Sequence, residues 1–530
     1  MKKSLNHCAL IVLLGAICLP AHAKVHHRRH RPKPLKTQIA ELLDDPAVSR
    51  AHWGIVVTEM DGKPIYAMNE GQLFQPASNN KMFTTATALA LLGPDATTET
   101  RIVAKGVFNG PAKLAGDVVL VGAGDANLSG RALQYVEPAD RPNPAPPAPD
   151  PLRYLAQMAD QVAATGLKVV NGDVVGDDTL FPWEPYPEDW TIDDAVWGYG
   201  APVSALTIND NQIKVTVTPA DTAGKPATVS LSPAVPYYRL DFSVMTGSPK
   251  SPSSIEMERM PGSRELRIYG SIAVDAQPDE EEVAIEDPAE YAAVALKSLL
   301  EARGVEVTGK ARAQHRLSTD TQGFLAESAQ SVVDLSERAP VAANPVEKVL
   351  ASHTSPPLEE NLVVTNKVSQ NLHAELFLHQ LGVAVLGDGS TAAGVRVVRV
   401  FLTDKVGVDP DDFVFFDGSG LSGHDLVTPR AAAKLLQYAA EQPWFADWKR
   451  SLPIGGEDGT LAERFPKAPL KDHLFAKTGT LGEARALSGY LECASGKTVI
   501  FSIMVGNHTP RTHADREAMD KIVAAIAETN

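Results

Sequence analysis

The alternation of apolar and polar positions divides the chain into three textures. Near the start, Trp53–Thr58 and Pro64–Ala67 are β-type runs, and the Asp61-Gly62 pair between them is a hairpin signal, so two antiparallel strands are expected. A short helix is expected before them, over Leu35–Leu43. A longer Ala- and Leu-rich helix is expected after them, from Asn79 to Leu92, stopped by Gly93-Pro94. From about residue 98 to 325 the chain turns to short β-type runs separated by turns: 117–121, 169–175, 212–217, 228–231 and 265–274. One helix, Pro288–Arg303, and a Pro-rich loop, 137–151, interrupt them. From about 345 helical periodicity returns over 359–381, 390–403 and 429–441. Strands follow at 474–480, 485–492 and 498–505, and a helix over 513–528 closes the chain. Mixed strand and helix pieces at both ends therefore flank a β-rich middle. That pattern predicts one α/β domain assembled from the two ends and interrupted by an insert.

The first residues change the picture. Lys2 and Lys3 precede the apolar run Ala9–Leu19, and Ala21-His22-Ala23 fits a small-x-small cleavage site, so residues 1–23 are expected to be a secretory leader. The run is too short for a spanning helix, which needs about 20 residues. A lipoprotein reading through Cys18 is disfavoured by the bulky Ile17 before it. No other long apolar stretch occurs, so the mature chain is expected to be soluble, and periplasmic or secreted. Residues 24–35 form a basic, histidine-rich arm. It reads as disordered, or, over 24–34, as a weak tether to a membrane or an anionic wall polymer. Cys8 and Cys18 leave with the leader. Cys493 then remains alone, no internal disulfide can form, and a buried inert thiol is expected there.

Composition is that of an ordinary globular chain: 530 residues, 44% hydrophobic and 22% charged, long enough for several domains. A net charge of −16 argues against nucleic acid as a partner. The Gly122-Ala123-Gly124 loop after a strand resembles a dinucleotide loop, but Asn127 stands where a third small residue is required. No His-Glu-x-x-His occurs, and neither a metal nor a cofactor is expected.

Chemistry is suggested by three triplets. Ser78-Asn79-Asn80-Lys81 places a lysine three residues after a serine, a spacing found at no other serine of the mature chain. At a helix start, positions i and i+3 share a face, so the amine can reach the hydroxyl and activate it. A capping serine with an exposed lysine would give the same spacing. Ser369-Gln370-Asn371 is a Ser-x-Asn triplet within a helical run. Lys477-Thr478-Gly479-Thr480 ends a strand. There Gly479 would let a substrate backbone approach, and Thr478 and Thr480 share one face, where with Lys477 they could hold a carboxylate.

In this order the triplets resemble those of penicillin-binding proteins and serine β-lactamases. More closely, the chain is similar to the class C low-molecular-mass penicillin-binding proteins, a family of D-Ala-D-Ala carboxypeptidases/endopeptidases. The resemblance is carried by Asn366–Glu375, Asp417-Gly418-Ser419-Gly420-Leu421-Ser422, Leu452–Leu461 and Ala476–Leu481, and by the long gap between Lys81 and Ser369. It implies an α/β (α+β) transpeptidase-like domain, an antiparallel sheet flanked by helices, over 36–97 and 326–530. It also implies an inserted domain over 98–183 and 270–325, and a β-rich one over 184–269. The implied roles are Ser78 as nucleophile, Lys81 as general base, and Ser369 as a proton relay between Lys81 and Lys477. Asn371 would bind the substrate amide. The N–H groups of Ser78 and Thr480 would form an oxyanion hole, and Lys477, Thr478 and Thr480 would hold the terminal carboxylate. Peptidoglycan stem peptides are the implied substrate and β-lactams the implied covalent inhibitors. Asp177 matches an acidic position used for the diaminopimelate side chain. The arginine that often follows the Asp-Gly-Ser-Gly-Leu-Ser stretch is replaced by Gly423, followed by His424. A β-lactamase or esterase on the same scaffold, or a non-catalytic wall-binding protein, remain the alternatives.

Overall fold

The computed structural model describes residues 33–131, 149–319, 321–340, 347–509 and 512–530, with 136, 141, 142, 144 and 147. The leader, residues 24–32 of the basic arm and much of the Pro-rich loop lie outside the described residues.

The two ends of the chain build one five-stranded antiparallel sheet, in the order Leu474–Leu481, Ala484–Glu492, Thr498–Gly506, His52–Glu59, Pro64–Met68. His52–Glu59 pairs along its whole length with Thr498–Gly506, from His52 opposite Gly506 to Glu59 opposite Val499. This pairing joins segments more than 400 residues apart. Both faces of the central strands are covered, which is why His52–Glu59 and Thr498–Gly506 are mostly apolar and buried. Trp53, Ile55, Val57, Ile503 and Leu487 pack under the helices Leu35–Leu43 and Ala514–Thr529. Val56, Met504, Ile500 and Tyr490 pack against Asn80–Leu92, Asn371–Leu386 and Pro429–Ala440 on the other face. The free Cys493 is buried at the end of a strand, and burial pushes its thiol up to about 11, so it is inert at neutral pH.

The middle of the chain holds a seven-stranded mixed sheet and two three-stranded sheets. Their strands divide differently from the expected boundaries. Lys348–Thr354, expected in the terminal domain, pairs antiparallel with Glu99–Phe108 and so belongs to the seven-stranded sheet. The expected boundary at 269/270 falls inside the strand Glu265–Ala273, which pairs with Arg239–Gly247. Strand pairing is long-range, and no local turn signal marks these changes of partner.

A second difference bears on the site. The helical run expected over 359–381 is two helices, Leu358–Lys367 and Asn371–Leu386. The break at 368–370 contains no glycine or proline, so periodicity reads through it. Ser369 nevertheless adopts a left-handed backbone, φ 64°, a conformation that costs a non-glycine residue about 1–2 kcal/mol.

Candidate active site

Ser78 sits in a single 3-10 turn, Ala77–Asn79, directly before the helix Asn80–Leu92. Ala77 has a left-handed φ of 47°. The turn is fixed on two sides by the residues between Ser78 and Lys81. Asn79 donates from Nδ2 to the Lys477 carbonyl, 2.9 Å, tying the turn to the Lys-Thr-Gly strand. Asn80 donates from Nδ2 to the Asp417 carbonyl, 2.9 Å, and to Asp425 Oδ2, 3.0 Å, tying it to the Asp-Gly-Ser-Gly loop. Two glycines permit this close approach. A Cβ on Gly479 would lie 2.4 Å from the Pro76 carbonyl, and one on Gly420 (φ 82°) 1.8 Å from that of Ala77. Gly479 thus makes room for the serine's own turn, a different reason from the substrate approach expected of it.

Lys81 is wholly buried and donates to three acceptors: Ser78 Oγ at 2.9 Å, Asn371 Oδ1 at 2.6 Å and the Ser419 carbonyl at 2.8 Å. Two of these, the amide oxygen and the carbonyl, cannot donate. In the free amine the two N–H bonds therefore stay on Asn371 and Ser419, and the lone pair faces the Ser78 hydroxyl. Burial pulls the Lys81 ammonium down to about 8, opposed by Asp417, Glu375 and Asp425.

Lys477, also wholly buried, donates to Ser369 Oγ at 2.9 Å and to the Thr478 carbonyl at 3.0 Å. Burial and the charge of Lys81 push it well below the ordinary lysine range. A positive charge on Lys477 is therefore disfavoured in the resting site. On the same strand Thr480 is exposed, and Thr478 is half-buried with its hydroxyl 2.7 Å from that of Thr460.

Behind Lys81 lie three buried carboxyl groups. Burial raises Asp417, but hydrogen bonds from Asp425, Trp190 Nε1 and the backbone N–H groups of Gly420 and Ser422 outweigh it and hold the group below its usual value. Burial and the Asp417 charge push Asp425 well up, and the same two causes push Glu375 up to about 8. Asp417 is thus held toward its ionised form, Glu375 keeps its proton at neutral pH, and Asp425 is pushed toward its protonated form. The inserted segment reaches the cluster at two points: Trp190 at Asp417 Oδ2, 2.9 Å, and the Tyr199 carbonyl, which accepts from Asn371 Nδ2 at 2.9 Å.

The structure brings Ser78, Lys81 and Asn371 into one hydrogen-bonded group. Lys477, Thr478, Gly479 and Thr480 lie along the adjoining strand, and Ser369, in the break between the two helices, meets it through the Lys477 amine. Asp177 is not among them: its carboxylate accepts from Thr179 Oγ1 at 2.6 Å and Gln314 Nε2 at 3.3 Å, and Lys105 Nζ lies 3.5 Å away, all within the inserted region. At Gly423 a Cβ would lie 2.8 Å from Asp189 Oδ2, and His424 Nδ1 is 3.5 Å from that oxygen. Sequence reasoning assigned no role to Asn79, Asn80, Glu375, Asp417, Asp425, Thr460, Trp190 or Tyr199. All but the last two stand inside or beside the motif stretches, which was the available signal. The Trp190 and Tyr199 contacts span 227 and 172 residues and leave no local mark.

Comparison with known proteins gives the same relationship throughout. The profile of the D-Ala-D-Ala carboxypeptidase 3 (S13) family matches residues 35–335 and 335–528. The chain is 33% identical over 506 residues to a D-alanyl-D-alanine carboxypeptidase of Actinomadura sp. (strain R39), covering 93% of this chain and 84% of that one. It is 25% identical over 498 residues to penicillin-sensitive carboxypeptidase A of Dictyostelium discoideum, covering 90% and 87%. It shares its fold with penicillin binding protein 4 (dacB) from Haemophilus influenzae, with a TM-score of 0.74 at 21% identity over 92% of this chain and 98% of that one. A profile match along nearly the whole described length and a relative one-third identical lead to one conclusion: the chain belongs to the D-Ala-D-Ala carboxypeptidase 3 (S13) family.

Proposed function

We propose that this protein is an exported serine DD-peptidase that cuts the terminal D-Ala-D-Ala bond of peptidoglycan stem peptides through an ester on Ser78. The observation that carries the reading is the set of acceptors around Lys81, which aims the lone pair of its free amine at the Ser78 hydroxyl. In this mechanism Lys81 takes the Ser78 proton and the alkoxide attacks the carbonyl of the penultimate D-Ala. The N–H groups of Ser78 and Thr480 receive the developing oxyanion. Ser369, which accepts from Lys477, passes a proton to the leaving amine, and D-alanine departs. Water then attacks the ester, with Lys81 again as base, and restores Ser78. The terminal carboxylate docks on Thr478, Thr480 and Lys477, and its charge draws a proton back onto Lys477. Asn371 turns its amide N–H from the Tyr199 carbonyl to the substrate. The same ester would serve a cross-linked stem peptide, giving an endopeptidase reaction at the same site.

Incubation with a labelled penicillin and intact-mass measurement tests the assignment. Wild type is expected to gain one covalent adduct and Ser78→Ala none. Equal labelling of the two would remove Ser78 as nucleophile. Digestion of purified sacculi should release D-alanine, and release of monomers from cross-linked dimers would establish the endopeptidase reaction.

A further inference from the structure

The inserted region presents an acidic group of its own to the Ser-x-Asn element. Asn209, Asp210 and Asn211 form a left-handed turn, with φ of 52°, 54° and 55°. Asn and Asp are the side chains that tolerate this backbone, but three in succession are costly. Each is tied down. Asn209 Nδ2 donates to the Gln212 carbonyl at 2.7 Å, the Asp210 N–H to Ser129 Oγ at 2.7 Å, and Asn211 Nδ2 to the Pro202 carbonyl at 2.9 Å. The turn thrusts the Asp210 side chain, 3% exposed, against the start of the helix Asn371–Leu386. There Asp210 Oδ2 accepts from Gln370 Nε2 at 3.3 Å, Asp210 Oδ1 lies 3.1 Å from Nε2 of the buried His373, and Arg131 pairs with Oδ2 from the other side. Gln370 is the N-cap of that helix, accepting from the Leu372 N–H at 3.0 Å. Its neighbours are Ser369, held left-handed, and Asn371, which orients Lys81.

We infer that Asp210 is a positioning residue: through Gln370 and His373 it holds the Ser369-Gln370-Asn371 turn in the geometry that aligns Ser369 with Lys477 and Asn371 with Lys81. The strained turn at 209–211 persists because it delivers this carboxylate. Burial alone would raise the Asp210 carboxyl, but Arg131 and His373 hold it well below the carboxylate range, so it stays ionised and accepts throughout the working pH range. The insert thereby completes the catalytic geometry from outside the terminal domain.

The kinetic consequence rests on the DD-peptidase reading; the structural consequence does not. In Asp210→Ala and in Gln370→Ala, the acylation rate constant per labelled site is expected to fall about 10- to 100-fold, the usual scale for a misplacement of about 1 Å. The non-covalent dissociation constant of penicillin should change less than about threefold. The double variant should lose less than the sum of the two single losses, because both variants break the link between Asp210 and Gln370. Global destabilisation would lower the fraction that labels, not the rate per labelled site. Hydrogen exchange at residues 369–373 should accelerate in Asp210→Ala, a readout that holds even if wild type takes no label. An acylation rate within twofold of wild type in Gln370→Ala, fully additive losses, or unchanged exchange at 369–373 would each overturn the inference. If Asp210→Ala does not fold, Gln370→Ala carries both measurements.

Discussion

Lys81 and Lys477 are the same residue type, both wholly buried in one cluster, yet their surroundings differ in sign. Lys81 faces the buried carboxyl groups of Asp417, Glu375 and Asp425, and the ionised Asp417 offsets much of the cost of burying a cation. Lys477 has no such support in its surroundings; its charged neighbour is Lys81, and its partners are a serine hydroxyl and a carbonyl. Burial favours the free amine at both, and at Lys477 no carboxylate opposes the loss of the proton. Lys81 loses its proton near pH 8, so on the order of a tenth of it is free amine at pH 7. The spacing in the sequence singles out Lys81 as the expected base but says nothing of the charge on either lysine. Their electrostatic surroundings separate them, leaving Lys81 basic enough to take a proton and Lys477 ready to gain one when an anionic substrate arrives.

The largest expected effect comes from removing each lysine in turn. On the proposed mechanism Lys81→Ala deletes the base that touches Ser78, and acylation should fall by about 10²–10⁴-fold. Lys477→Ala deletes a donor to Ser369 and a carboxylate contact. Its loss should be smaller and should appear mostly in KM for peptide substrates ending in a carboxylate. In wild type the acylation rate should rise about tenfold per pH unit below pH 8 and level off above it, following deprotonation of Lys81. Stopped-flow acylation across pH 5.5–9.5 measures all three. Equal losses in the two variants would mean that the lysines act as one interchangeable pair.

The sequence carried the elements and the order of the motifs, but not the physical reasons for their placement. The strands of the five-stranded sheet were legible because they are β-type runs bounded by turns, and the helix Asn80–Leu92 because Gly93 ends it. The break at Ser369 was not legible, since a left-handed serine without glycine or proline leaves no local signal and is held by distant contacts. The strand Lys348–Thr354 was missed for a related reason: its partner, Glu99–Phe108, lies about 250 residues away. The residues that cluster at the candidate site, Ser78, Lys81, Asn371 and Lys477, were legible as types at a spacing. The ionised Asp417 could not be read as such, because Asp417 and Asp425 are the same residue type in the sequence. Backbone N–H groups and Trp190 hold one ionised, and the other is left protonated beside it.

Removing the Asp417 charge tests that division more finely. In Asp417→Asn, Lys81 loses the charge that raises its pKa most, so the acid limb of the acylation profile should move to lower pH. A limb that stays in place or moves up would remove Asp417 as the source of the difference between the lysines. The substitution should also cost about 3 kcal/mol of stability. The backbone N–H groups of Ser419 and Gly420 converge on Oδ1, and that of Ser422 and Trp190 Nε1 on Oδ2, whereas an amide keeps one acceptor oxygen. Urea denaturation checks this second outcome.

The smallest effect is expected at Glu375, a carboxyl group that is already neutral in the resting site. Gln keeps an oxygen to accept from the Gly418 N–H, 2.9 Å away, and has no proton to lose. In wild type the folded protein holds the Glu375 proton up to about pH 8, whereas the unfolded chain releases it near pH 4.3. The stability contributed by the protonated group is therefore fully present below the unfolded value and is lost as pH rises toward the folded one. Gln removes that dependence. Glu375→Gln should match wild type closely at pH 4 and become progressively more stable relative to it between pH 5 and pH 7.5, by at most about 1.4 kcal/mol per pH unit. Acylation at neutral pH should change less than about threefold, since the charge facing Lys81 is unaltered there. Paired urea titrations at pH 4, 6 and 7.5 measure the gap. A variant whose stability deficit grows with pH would show instead that Glu375 is ionised in the folded protein, and that Lys81 is flanked by two negative charges rather than one.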